Sequence, residues 1–235
     1  MGTISKRQAV KWIVLTIVTP LVVSMLASYV YIAAWYMKMA MAGTPHEGSP
    51  PPELIQRAFF ATAGIGLWFT VGLWWFIKKK EYSFSALFKT RTDSVGKDLV
   101  AGVVLGAIWV AVYGLMRWPP FGEMFVLDAA KARSLFTSLS AGFCEEFLFR
   151  GFVIVIIATE GGTKRAQLVW SSLAFGVAHI FWGPVGMLFT VALGVTFAAI
   201  TLKRGNVWAA VVAHSLLDLC VEPGLIEKAM SFHSG

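Results

Sequence analysis

WIVLTIVTPLVVSMLASYVYIAAWYM, residues 12–37, contains no charged side chain and is interrupted only by Pro20. A bilayer core about 30 Å thick is crossed by about 20 helical residues, so this run alone is long enough to span a membrane. In lipid the backbone must satisfy its own hydrogen bonds, and the helix is the form in which a single segment does so. Lys6, Arg7 and Lys11 precede the run, and Ala40-Met41-Ala42 has the small-x-small look of a cleavage site. The apolar region of a signal peptide is only about 7–15 residues long, so the run reads as an uncleaved signal anchor.

Outward from this stretch the pattern repeats. Further spans are expected at about residues 58–77, 99–116, 134–158, 166–182, 185–202 and 207–221, with a very short link at Gly183 and Pro184. The expected fold is an all-α, polytopic transmembrane helical bundle of about seven spans. Composition agrees: of 235 residues, 57% are hydrophobic and 14% charged, and the mean hydropathy is +0.69. A soluble domain carries about 25% charged residues, so too few are present here to cover a soluble surface. Disorder is excluded as well, since 18 Phe and 10 Trp do not stay solvated.

The net charge of +7 sits mostly in the loops. A cytoplasmic N-terminus puts most Lys and Arg inside: Lys78, Lys79, Lys80, Lys89, Arg91 and Lys97 in one loop, and the Lys164-Arg165 and Lys203-Arg204 pairs in two others. That partition follows the positive-inside rule and reads the basic excess as orientation, so no nucleic-acid partner is expected. The expected setting is a bacterial inner (plasma) membrane, with the C-terminus outside because the number of spans is odd. Gly43–Pro52 reads as an external loop, and Trp118-Pro119-Pro120 starts a connection through Arg133 along the membrane surface. Gly102 and Gly106 form a GxxxG, which usually marks close helix packing. Cys144 and Cys220 lie inside apolar segments without a CxxC, so they report no redox compartment. Two regions result: 1–133, three spans with the basic cytoplasmic loop, and 134–235, the remaining helices and the tail.

Hydropathy does not explain what those remaining helices contain. A charged side chain at a helix centre in lipid costs about 2.5–3.5 kcal/mol. The fourth span nonetheless carries Glu145, Glu146 and Arg150, the fifth carries His179 four residues after Phe175, and the seventh carries His214 and Asp218. The middles of the first three spans hold nothing comparable, and His46 and His233 fall in a loop and the tail. Glu146 and Arg150 stand at i and i+4, share a helix face and can pair, whereas Glu145 points about 100° away. His214 and Asp218 have the same spacing, which lets the carboxylate fix the imidazole tautomer. Each motif alone also fits a structural role, as a Glu–Arg clasp or a histidine bonded to a backbone carbonyl. Six such residues gathered on three late helices point to function.

Glu145-Glu146-x-x-x-Arg150, then Phe175-x-x-x-His179, then His214-x-x-x-Asp218, in this order, resemble the three motifs of the CPBP family, the CAAX-protease and bacteriocin-processing (ABI) intramembrane proteases. The resemblance covers about residues 134–221; the first three spans resemble the family only in general architecture. It implies an intramembrane glutamic endopeptidase with no metal and no cofactor, acting on a membrane-associated protein or peptide within the lipid bilayer. Glu145 would be the general base that activates a water, helped by His179, while His214 and residue 218 would support the oxyanion. Glu146 and Arg150 would pair to hold the fourth helix and orient Glu145, and Phe175 would pack. Many members carry Asn at the last position. Asp218 donates a hydrogen bond only when protonated, so orientation of His214 is its first reading and oxyanion donation its second. Family members mature peptides, confer bacteriocin self-immunity or remove C-terminal sorting tails. His179 lies toward the external end of its span in the expected topology, which favours the last of these. Substrate identity and oligomeric state are not legible in the sequence.

Other chemistries stay open at this stage. Glu145, His179 and His214 can supply a zinc ligand set, although the chain has no HExxH. Cys144 adjoins Glu145, but it points about 100° away from it, and a thiol in apolar surroundings is a poor nucleophile. Intramembrane Glu, His and Asp also build the relays of proton-coupled transporters, whose repeated halves are not clear here. A catalytically silent membrane scaffold or immunity protein is the remaining reading.

Overall fold

The computed structural model describes residues 6–43, 50–78, 88, 94–117 and 129–231. All secondary structure among them is helical: α1 (Lys6–Met41), α2 (Pro52–Lys78), α3 (Val95–Arg117), α4 (Ala129–Glu146), a π-helical turn (Phe147–Val153), α5 (Ile154–Thr159), α6 (Lys164–Ala178), a 3-10 turn (Ile180–Trp182), α7 (Gly183–Arg204) and α8 (Trp208–Ser231). Three segments, Arg7–Met41, Val95–Met116 and Gly183–Arg204, are each long and apolar enough to cross a membrane, and Thr62–Ile77 and Trp208–Val221 are shorter apolar helices. Val30, Phe76, Leu115 and Val185 are each at least 70% exposed on the outside of the bundle, a surface suited to lipid. The expected all-α membrane bundle is borne out. His46, His233, Lys79, Lys80, Lys89, Arg91 and residues 118–128 of the connection from Trp118 lie outside the described residues, while residues 129–133, expected in that connection, already belong to α4.

Two expected spans differ in detail. The fourth is a continuous helical rod in three pieces, α4, the π turn and α5. The fifth stops being an α-helix at Ala178, with His179 as its C-cap residue, and the chain reverses through the 3-10 turn. Gly183, at φ 77°, ends that turn, and Pro184 sits in the first turn of α7, where a missing N–H costs nothing. Residues 179–182 therefore form the link expected at Gly183 and Pro184.

Lipid gives helices little hydrophobic reason to associate, so small residues and hydroxyls hold the bundle together. A Cβ at Gly66 of α2 would collide with Pro20 O and Ser24 Oγ of α1. Beside that contact Ser28 Oγ and Thr62 Oγ1 lie 2.9 Å apart, and Thr62 Oγ1 donates to Ser24 O at 3.0 Å. The GxxxG of α3 packs on α8: a Cβ at Gly102 would sit 2.8 Å from Ala209 O, and one at Gly106 3.0 Å from Ala213 O. From the other side α4 brings Gly142 against Ser215, whose amide nitrogen would lie 2.9 Å from a Cβ there. At one end of this sandwich the buried Asp98 of α3 accepts from Arg204 Nε and, at 3.0 Å, from Asn206 Nδ2, tying α3 to the turn between α7 and α8.

Gly142→Val pushes α4 off the backbone of α8 and is expected to destabilise by about 1–3 kcal/mol, as overpacking does. Gly72→Ala places its Cβ where nothing lies within 4 Å and leaves stability unchanged or slightly raised. Thermal unfolding of the two purified variants beside the wild type checks the contrast.

Candidate active site

The last turn of α4 carries Glu145 and Glu146, and the π turn that continues it carries Arg150. Glu146 and Arg150 are both 0% exposed, and Arg150 donates from Nη1 to Glu146 Oε1 at 3.0 Å. The same oxygen lies 2.9 Å from His214 Nδ1, so one carboxylate oxygen binds a cation from its own rod and an imidazole from α8. A carboxylate only accepts, which makes His214 Nδ1 the donor. The i, i+4 spacing on α8 led to Asp218 as the group that fixes the His214 tautomer. In the structure Glu146 holds Nδ1, and Asp218 Oδ2 approaches the other nitrogen, Nε2, at 3.5 Å.

Glu145 faces elsewhere. Its Oε2 lies 3.5 Å from His179 Nε2 and 3.9 Å from His214 Nε2, and it has no hydrogen-bond partner among the described residues. His179 leaves the helix at its C-cap, with Nδ1 2.8 Å from Phe175 O. A carbonyl also only accepts, so His179 Nδ1 carries a proton and Nε2 faces Glu145. The two Nε2 atoms converge with Glu145 Oε2 and Asp218 Oδ2, and each Nε2 accepts when its ring is neutral and donates when its ring is protonated. Side-chain exposure is graded across the site: 0% at Glu146 and Arg150, 5% at His214, 15% at Glu145, 18% at His179 and 26% at Asp218.

Phe175 does more than fill space. Its ring lies 4.3 Å from Arg150 Cζ, 4.7 Å from the His179 ring and 5.6 Å from the His214 ring, which it meets edge-on. The guanidinium is thus held against an aromatic face, a favourable place for a cation removed from water. Phe197 of α7 lies 5.5 Å from both Arg150 Cζ and the His214 ring, and Gly194 O accepts from Arg150 Nη2 at 3.3 Å. Neither residue has a signal in the sequence, because an aromatic and a glycine in an apolar span are ordinary. Cys144 is a fully buried free thiol on the core side of α4. Among the described residues no group of three or more His, Cys, Asp or Glu side chains is arranged to hold a metal ion.

Residues 127–220 match the family described as type II CAAX prenyl endopeptidase Rce1-like. No curated protein and no solved structure matches the chain. The matched segment contains every residue of the cluster and leaves α1 to α3 outside it. It bears out the resemblance of the three motifs: residues 127–220 are similar to a CAAX endopeptidase family, and they lie in an all-helical bundle that contains helices long and apolar enough to cross a membrane.

Proposed function

We propose that the protein hydrolyses a peptide bond of a membrane-associated protein or peptide, with Glu145 as the base that activates water. The observation that carries this reading is the bare Glu145 Oε2, buried and flanked by two imidazole Nε2 atoms at 3.5 and 3.9 Å. A water held between Glu145 and His179 gives one proton to the carboxylate as its oxygen bonds to the scissile carbonyl carbon. The tetrahedral oxyanion then collapses, the C–N bond breaks, and the proton passes to the leaving amine. The other water proton stays with the added oxygen, so a carboxylic acid and an amine are the products, present at neutral pH as carboxylate and ammonium.

His214 serves the oxyanion. Once its ring holds a second proton, Nε2–H becomes a donor aimed into the cluster, and a donor of this kind is worth roughly 100–1000-fold in rate. Glu146 keeps Nδ1 engaged throughout, so the ring changes role at Nε2 without turning. Asp218, at the outer edge, orients the imidazole from the Nε2 side. The charge partition of the loops favours a site that opens outside, and with that orientation removal of a C-terminal sorting or processing segment suits the substrate best.

The test compares membrane-protein termini in cells expressing wild type or Glu145→Gln, with a chelator-treated wild-type membrane sample alongside. New termini are expected with wild type only, reduced at least about 100-fold by the substitution and untouched by chelation. Identical termini in all samples at equal protein abundance favour the silent scaffold, and loss on chelation restored by zinc favours a metalloprotease. A separate outcome concerns the clamp. Arg150→Met strands the Glu146 charge in the core and is expected to cost about 3–5 kcal/mol, so the variant fails to accumulate. The double variant Glu146→Gln with Arg150→Met recovers abundance, read by immunoblot of membranes, but not activity.

A further inference from the structure

The π turn Phe147–Val153 is buried along its whole length and stands between the two glutamates and the rest of their rod. A π turn spends about one residue more than an α turn, and such turns recur at functional sites. Relative to an unbroken α-helix, the extra residue rotates everything upstream by about 100°. The rotation allows Glu145 and Glu146 to face His179 and His214 while the residues downstream stay in register with the core. Phe152, for example, stacks on Trp74 of α2 with ring centroids 5.4 Å apart and planes within 6°.

A widened turn has to be held open, because a straight α-helix is the lower-energy form of the same segment. One grip is Arg150 Nη2 on Gly194 O of α7. The other comes from α6, where Ser171, 0% exposed, donates from Oγ to Phe149 O in the middle of the π turn at 2.9 Å. Its neighbour Ser172 is equally buried but returns its hydroxyl to Leu168 O of its own helix at 2.7 Å, the usual habit of serine in an apolar helix. Ser171 instead crosses to another rod and takes a main-chain carbonyl.

We propose that Ser171 is a positioning residue: by taking the Phe149 carbonyl it latches the π turn and so sets the direction of Glu145 and Glu146. It touches no reacting atom and acts through the backbone. The proposal rests on the glutamate reading above for its catalytic consequence, but the alignment itself is a property of the resting protein.

The experiment compares Ser171→Ala and Ser172→Ala, two substitutions of the same size at adjacent buried positions of which only one removes a contact to the π turn. In cells, Ser171→Ala is expected to lower the wild-type-dependent termini about tenfold or more, as a misplaced catalytic group does, while Ser172→Ala leaves them unchanged. Ser171→Cys, close in shape but a weak donor, falls between, and it replaces the alanine variant if that one does not accumulate. The second readout needs no turnover. Ring-nitrogen NMR of the ¹⁵N-histidine-labelled full chain in lipid nanodiscs, assigned with His179→Gln and His214→Gln, reports the His214 Nδ1–Glu146 bond directly. That signature is expected to change in Ser171→Ala and to persist in Ser172→Ala. If the two serine variants give the same spectra and the same termini, the latch is overturned. If the spectra differ as expected while Glu145→Gln still produces the termini, the glutamate reading fails and the latch stands.

Discussion

One carboxylate oxygen, Glu146 Oε1, is bound by Arg150 at 3.0 Å and by His214 at 2.9 Å, in a place where neither the acid nor the guanidinium touches solvent. Taking both charges out of water costs several kcal/mol per ion, and their attraction offsets this only when the remaining polar atoms also find partners. The rings of Phe175 and Phe197, Gly194 O and the imidazole of His214 supply part of that compensation, while Glu146 Oε2 and Arg150 Nε stay buried with no hydrogen-bond partner among the described residues. These partners come from three helices: Phe175 from α6, Gly194 and Phe197 from α7, and His214 from α8. The pair therefore keeps the partners it has only while four rods hold one arrangement. A buried pair of this kind is weak evidence for stability, but it ties His214 to the geometry of the fold.

That arrangement depends on backbones approaching closely. His214 reaches Glu146 because α8 is pressed between Gly102 and Gly106 of α3 on one side and Gly142 of α4 on the other. The matched family segment begins near the start of α4, yet α3 lies outside it and still presses on the helix that carries His214 and Asp218. The N-terminal helices thus act on the site through position rather than through chemistry. Asp98 of α3, with Arg204 and Asn206, closes the same sandwich at its far end.

What the sequence made legible follows from which interactions are local. The pairing of Glu146 with Arg150 is readable because both residues lie on one rod four positions apart. The bond from Glu146 to His214 is not, since it joins residues 68 apart and exists only once α4 and α8 are packed. The apolar run of the fifth span continues through Trp182, and hydropathy does not register that the chain leaves the helix at His179; only Gly183 and Pro184 mark the reversal. The π turn leaves still less trace, because inserting one residue into an all-apolar stretch alters neither its hydropathy nor its composition. Ser171 had a faint signal as a polar residue in an apolar helix, but Ser172 beside it carries the same signal and a different role.

Two adjacent glutamates meet opposite fates because adjacent positions on a helix point about 100° apart. Glu146 points inward, where Arg150 and His214 occupy its Oε1, and it serves structure. Glu145 points to the partly open side, where its Oε2 lies within 4 Å of two imidazole nitrogens and has no hydrogen-bond partner among the described residues. A buried polar atom without a partner costs free energy, and in an apolar bundle no bulk solvent relieves it. A small polar guest that hydrogen-bonds to that oxygen lowers the cost, and the 15% exposure of Glu145 against 0% at Glu146 sets which of the two glutamates such a guest reaches.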